Sequence, residues 1–441
     1  MTAPRSTKPR DRVSFDCDVL VAGGGPAGST AASWLARQGR RVIVIERDQF
    51  PRFHVGESLL ASVNDVFDAI GVSDTIRAAG FPQKWGATFM TADGVVERYA
   101  DFSASGIRAP QTWQVPRATF DDLLLKHAAS CGADVREQQR VIDATFDDCG
   151  VTAVVQARSE CVERYEVRAR AIIDASGRGS LLSRKFNLRV DEAAFANIAV
   201  FSHYSAVPRQ EGRRAGDIVI ISRNDLGWFW LIPISEELMS VGVVLPRGAA
   251  PDTPYEDWLD HAIAETPAVS RLMAGARREW PVRVEKDFSF SSRAYGGPRW
   301  LLAGDAGSFL DPVFSTGVAI ALESGLEAAR TAAACLDADS WCGAALRAFA
   351  KRQRRRYLSF RRFVVGFYTR EFRELFFAPD PPRRMFRAMV TVFAGYWDPP
   401  LMTRAWIMLF FVLVRLRAMF TIAPAARSTL TGGNVEHPAV R

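Results

Sequence analysis

Residues 23–28 read Gly23-Gly24-Gly25-Pro26-Ala27-Gly28, a G-x-G-x-x-G pattern between the apolar run Val19–Ala22 and a helical spacing through Ala31, Ala32, Leu35 and Ala36. Lacking Cβ atoms, Gly23, Gly25 and Gly28 let the backbone approach a pyrophosphate, and the helix that follows aims amide donors and positive potential at it. Glu46 ends the next apolar stretch, "RVIVIE", where a carboxylate can accept from ribose hydroxyls. A different chemistry is raised by "FPQKWGATFM" (81–90), in which Lys84 is the single charge among apolar and aromatic neighbours. An amine in that company either snorkels to water over Trp85 or has a task. In "GWFWLIP" (227–233), Trp228 and Trp230 share one face of a strand, where they wall one side of a tunnel or pack a core.

These residues need elements to hold them. Residues 16–48 read as strand, glycine turn, helix, strand: a βαβ unit with Gly39 closing the helix. "VPRATFDDLLLKHAASCGADV" (115–135) reads as an amphipathic helix leading into a strand, and "ARAIIDASGRGSLL" (169–182) as an apolar strand ending in a small-residue turn. From about 191 to 289 the pattern alternates, as in "DIVIIS", and predicts a second domain built on an antiparallel sheet. Residues 299–336 return to strand, loop and long helix, and beyond 350 come Arg-rich and aromatic-rich helices broken at Pro379–Pro382 and Pro399–Pro400. The expected division is a first domain over 14–84, 114–190 and 290–350, and a second over 85–113 and 191–289. A helical region at 351–427 and a disordered end at 428–441 complete it.

The totals narrow the class. Positive charge is concentrated late: residues 351–441 hold 17 Lys+Arg against 5 Asp+Glu, while the first 350 hold 39 against 44. A basic tail on a mildly acidic body suits an acidic partner or a membrane surface, or is a solvated helical face. Six cysteines without a C-x-x-C pair, and scattered histidines, indicate neither a zinc site nor a disulfide framework, so no metal is expected and a reducing cytoplasm is. Met1–Asp18 is basic and polar, without the apolar core of a signal peptide. The longest apolar run, Ala405–Val414, is half of the about twenty residues a membrane span needs. No nucleic-acid partner is expected.

Downstream, "LLAGDAG" (301–307) ends an apolar strand in Gly304-Asp305, with a helix expected from near Pro312. Together with the glycine turn, "IIDASG" (172–177) and Arg117 in "VPRATFDDLLL", this resembles the FAD-dependent oxygenases of the hydroxybenzoate-hydroxylase type. The resemblance covers residues 16–330 and implies an α/β fold: a glutathione-reductase-type FAD-binding Rossmann domain with an antiparallel β-rich substrate domain and a C-terminal helical extension. It implies FAD as cofactor, with Glu46, Arg47, Arg117, Asp174, Gly304, Asp305 and Pro312 around it.

Three stretches resemble the flavin-dependent halogenases, phenol or pyrrole branch. "PRFHVGES" (51–58) implies that Gly56 and Ser58 meet the flavin, while His54 reads as a satisfied structural histidine. W-x-W-x-I-P is present as Trp228, Trp230, Ile232 and Pro233, implying a wall that keeps substrate from the flavin. "DPVFSTG" (311–317) resembles the family's P-x-x-S-x-G turn into a helix, implying a halide, chloride or bromide, at the amides of Ser315, Thr316 and Gly317. In that family reduced FAD and O₂ give a C4a-hydroperoxide, halide attack yields hypohalous acid, and a lysine in K-x-G, here Lys84-Trp85-Gly86, passes electrophilic halogen to an arene. The sequence departs from the tryptophan enzymes, which carry a glutamate where Phe314 stands. That departure implies an arene activated by its own lone pair, on a small molecule or on an acyl- or peptidyl-carrier protein. A separate flavin reductase is expected, as only one dinucleotide unit is present. An aromatic hydroxylase or a geranylgeranyl-reductase-like enzyme of the same fold is the alternative. For "RAWIMLFFVLVRLRAMF" (404–420), packing against the second domain is expected ahead of a carrier-docking or membrane-surface role.

Overall fold

A computed structural model describes residues 14–158, 163–192, 197–246, 254–286, 289–341, 343–379 and 381–422. The expected disorder at 428–441 lies outside the described residues.

Two sheets organise the chain. The first has a parallel core in the order Trp300–Leu302, Arg164–Asp174, Cys17–Ala22, Val42–Ile45, Asp134–Arg136, with Val21 registered against Ile173 on one side and Val44 on the other. Its strands are apolar throughout because both faces are covered. Val19, Val21, Val42 and Val44 face the helices Pro26–Arg37 and Thr316–Asp337, while Leu20, Ile43 and Ile45 face the antiparallel strands Gln139–Phe146 and Val151–Ala157. The first helix can lie close because its inner face is small. A Cβ on Gly28 would stand 1.8 Å from the Gly23 carbonyl oxygen, and one on Gly325, in the second helix, 2.3 Å from that of Ala27.

The second sheet runs Asn197–Ser205, Met239–Pro246, Trp228–Pro233, Ile218–Ser222, Gly86–Met90, Glu97–Asp101. It is antiparallel as expected except where Ile218–Ser222 pairs parallel with Gly86–Met90, Ile220 opposite Phe89. Strand alternation gives it two apolar faces. One, with Val241, Val243 and Phe229, is covered by Tyr255–Glu265 and Pro267–Met273. The other, with Phe89, Phe201, Trp228 and Trp230, is covered by the helices Ala344–Phe367, Arg370–Phe376 and Arg383–Phe393. The C-terminal helices are therefore part of the second sheet's core. The breaks at Pro379–Pro382 and Pro399–Pro400 stand where the sequence puts them, since proline lacks the amide a continuing helix needs.

Candidate functional site

The two sheets meet around a cavity of about 460 Å³. Fourteen of the residues singled out from sequence line it: Gly23, Gly25, Glu46, Arg47, Gly56, Ser58 and Arg117 from the first third of the chain; Trp228 and Trp230 from the middle; and Gly304, Asp305, Pro312, Ser315 and Gly317 from the last. Gly28, Lys84, Asp174 and Thr316 stand behind the wall.

At the dinucleotide end, Gly23 has φ +105° and would press a Cβ to 2.3 Å from the Ala175 carbonyl oxygen, so that turn requires glycine. Gly25 lines the cavity, and a Cβ there would meet only the far end of the Arg52 side chain, Nη2 at 3.5 Å. Glu46 is held by two backbone donors, Gly24 N–H to Oε2 at 2.6 Å and Asp48 N–H to Oε1 at 2.9 Å. Asp174 accepts from Ser176 N, Ser176 Oγ and Leu182 N, so it shapes the turn whose residues Ala175, Ser176 and Gly177 line the cavity. Arg117 lines the cavity but is engaged: Nε and Nη2 donate to Asp121 at 2.8 and 2.9 Å, and Nη1 to the Val55 carbonyl at 2.7 Å. Burial alone would raise the Asp121 carboxyl, yet Arg117 and Arg52 hold it low. His54 is kept neutral, its pKa pushed down to about 3 by burial and by Arg117.

At the other end, the helix Thr316–Asp337 opens onto the cavity after a short 3₁₀ turn at Pro312–Phe314, four residues beyond the expected start. Its N-terminus has no side-chain cap and no acid in the first turn. Ser315 is held at φ +57°, a left-handed conformation costing about 1–2 kcal/mol for a residue with a Cβ. Thr316 Oγ1 is buried without a hydrogen-bond partner among the described residues. The Trp228 and Trp230 rings lie side by side, centroids 5.8 Å apart. Trp230 needs the glycine opposite it: a Cβ on Gly242 would reach within 2.3 Å of the indole.

Lys84 lies in the short strand Gln83–Lys84, paired with Thr112–Trp113, and is 1% exposed. Its Nζ donates to Ser58 Oγ and to the Leu59 carbonyl, each at 2.8 Å, and lies 5.4 Å from the Phe102 ring centroid. Burial lowers its pKa to about 7, against the opposing charge of Asp217. Asp217 is occupied by the amides of Trp85 and Gly86 and by Tyr99 Oη. The amine thus sits one side chain behind the cavity wall, and it does not snorkel.

The comparisons with known proteins agree with this arrangement. The FAD binding domain family matches residues 16–347. The 1H-pyrrole-2-carbonyl-(peptidyl-carrier protein) chlorinase of Pseudomonas fluorescens is 34% identical over 337 residues, 70% of this chain and 74% of that one. The chain belongs to the flavin-dependent halogenases. The tryptophan 2-halogenase of Chondromyces crocatus is 32% identical over 374 residues, 83% of this chain and 69% of that one. The solved structure of the myxobacterial chondrochloren halogenase superposes with a TM-score of 0.75 at 33% identity, covering 92% of this chain and 97% of that one. These relatives support the halogenase reading over the hydroxylase or reductase alternative.

FAD is the cofactor of this halogenase, and the residues present fit it. Gly25 on the cavity wall, with the Arg52 guanidinium beside it, would hold a pyrophosphate at an uncapped helix N-terminus, Pro26–Arg37. Arg47, Arg52, Arg117, Arg140 and Arg178 on the same wall supply positive charge. Asp305, at the wall beyond, has a carboxyl pushed up to about 6 by burial, against Arg178 and Arg117, with no hydrogen-bond donor among the described residues.

One buried network in the halogenase is not legible in the residue spacing. Trp228 Nε1 donates to Tyr368 Oη at 2.7 Å, and Tyr368 Oη donates to Asp311 Oδ2 at 2.7 Å. Asn197 Nδ2 donates to the same oxygen at 2.9 Å, and Val313 N–H to Oδ1 at 3.1 Å. Asp311 stands in the quoted "DPVFSTG", but no spacing links it to a tyrosine 57 residues on. Glu57 and His203, 3.0 Å apart, form a second buried pair, with Glu57 on the cavity wall. The Asp311 carboxyl is raised to about 6 by burial, so its folding contribution is full below about pH 4 and lost as pH rises through 6. In Tyr368→Phe the carboxylate loses a donor and the indole an acceptor. Denaturant unfolding is expected to show a loss of about 1–3 kcal/mol, with the pH-dependent decline extending above 6. An unchanged pH profile would mean that Tyr368 does not bear on Asp311.

Proposed function

We propose that this halogenase chlorinates or brominates an electron-rich phenol or pyrrole, borne on an acyl- or peptidyl-carrier protein, with Lys84 delivering the halogen. Bound FAD, reduced by a separate flavin reductase, supplies with O₂ the oxidant that converts halide to hypohalous acid. The observation that carries the reading is the buried Lys84 amine, without an ion pair among the described residues and hydrogen-bonded to Ser58 on the cavity wall.

The chain's own groups divide the work. The uncapped amides at Ser315, Thr316 and Gly317 receive the halide. Trp228 and Trp230 close the space between the dinucleotide end and the arene, so that a small oxidant passes and a ring does not. Neutral Nζ of Lys84 takes halogen from hypohalous acid, forming N–X and releasing water. The arene carbon then takes the halogen as its own proton leaves, and the amine is restored. With Phe314 in place of a carboxylate, the arene must activate itself. The carrier-borne substrate is supported by the Pseudomonas chlorinase's name and by the basic C-terminal quarter. The three-part FAD domain, two-part substrate domain and cytoplasmic setting belong to the same proposal.

The test supplies FAD, a flavin reductase, NADH, O₂ and chloride or bromide. Mass spectrometry then follows pyrrole-2-carbonyl on a carrier protein, a free phenol and free tryptophan. Halogen is expected on the carrier-borne pyrrole in preference to the free phenol. Hydroxylated product, or halogen on tryptophan alone, would overturn the proposal.

A further inference from the structure

The helix Leu401–Ile422 packs on the protein by a narrow edge. Ile407 and Phe410 are fully buried, and Trp406, Phe411, Leu413 and Val414 lie partly buried against the aromatic core. The opposite face is apolar and open: Leu401, Met408, Leu409, Val412, Leu416 and Phe420 are 43% to 80% exposed. Of the 14 exposed large hydrophobic side chains among the described residues, 8 belong to this helix. Their spacing draws one continuous line along its length. The expected burial against the second domain is thus met on one edge and not on the other.

The charge around the line narrows what covers it. The helix has no acidic residue and carries Arg404, Arg415 and Arg417. Arg404 pairs with Asp398 and Arg417 with Glu374, exposed pairs that an anionic surface can outbid. Arg383, Arg384 and Arg387 are exposed on the adjoining helix Arg383–Phe393. A second copy would bring arginines against arginines with no acid on the helix to answer them. Residues 423–441 hold only Leu430, Val435 and Val440 as large aliphatics, too few to cover the line. A protein partner usually meets a compact patch with a polar rim, not a line about 30 Å long, at 1.5 Å per residue.

We propose that Leu401–Ile422 is an in-plane anchor to an anionic lipid bilayer, with the apolar line at the acyl boundary and the arginines at headgroup phosphates. None of the helices described is long and apolar enough to cross a membrane, so the contact is peripheral. The proposal stands apart from the halogenation reading, and its test reads lipid binding directly. The full FAD-loaded chain is sedimented with phosphatidylcholine vesicles, with and without phosphatidylglycerol. Binding is expected to the anionic vesicles, weaker by about tenfold on pure phosphatidylcholine or in 1 M salt. Val412→Glu with Leu416→Glu, both exposed, should lower it by at least about tenfold while the flavin spectrum and halogenation stay unchanged. No binding to either vesicle, or undiminished binding of the double variant, overturns the proposal. So does a concentration-dependent dimer dispersed by the same variant, or an anionic carrier protein that binds the line while vesicles do not.

Discussion

Lys84→Met is expected to lose halogenation by roughly 10²–10⁴-fold, the range seen when a group essential to one chemical step is removed, while flavin oxidation continues. The reason lies in placement. Nζ is held by Ser58 Oγ and the Leu59 carbonyl, and of these two residues only Ser58 stands on the cavity wall. Hypohalous acid should still form and escape, so a diffusible arene trap in the buffer should become halogenated as the intended substrate does not. Retained substrate halogenation would remove the lysine from the pathway.

The same burial gives the reaction a pH dependence. With a pKa of about 7, the amine is protonated and unable to take halogen in acid, and neutral above. Halogenation per flavin oxidised should rise about tenfold per pH unit below 7 and level off above it, as the neutral fraction of a single group does. Stability carries the same signature. The unfolded chain holds this proton up to about pH 10.5 and the folded chain only to about 7, so the penalty for burying the lysine is full below 7 and disappears as pH rises to 10.5. Lys84→Met lacks the group, and its stability relative to wild type should be greatest below pH 7.

What the sequence shows and hides here follows from contact range. The glycine turn, Glu46 and the Gly304-Asp305 turn are legible because a few successive residues determine the backbone path, and Gly23 admits no Cβ beside Ala175 whatever lies elsewhere. The tryptophan pair is legible because strand alternation fixes their common face. Arg117 shows the limit: its position was readable, but its engagement with Asp121 and the Val55 carbonyl depends on how a helix meets a loop 62 residues away. The C-terminal helices show it more plainly. Their apolar faces are visible in the sequence, but nothing in their spacing says that Tyr368 reaches Trp228 or that Phe363, Phe367 and Phe393 surround Phe314.

That last arrangement supports the second large effect. Phe314 stacks on Phe393 with centroids 4.8 Å apart and planes 8° from parallel, and meets Phe367 edge-on at 5.7 Å and Phe363 at 6.3 Å. Phe314→Glu restores the residue type that the tryptophan branch carries, but places it among the rings of Phe89, Phe363, Phe367 and Phe393, with no cation in contact among the described residues. An unpaired carboxylate in such a site is expected to destabilise the fold by about 3–5 kcal/mol, or to stay protonated and do no proton chemistry. Phe314→Leu, which keeps the site apolar, should cost less, about 1–2 kcal/mol. Neither variant should halogenate free tryptophan, because the space a carboxylate would need beside an indole is filled by residues from the last quarter of the chain. Thermal unfolding of both variants, with mass spectrometry on tryptophan and on a phenol, checks this. A stable Phe314→Glu that halogenates the indole would show that the aromatic cluster yields to substrate, and that substrate choice is set by this one side chain and not by the helices packed around it.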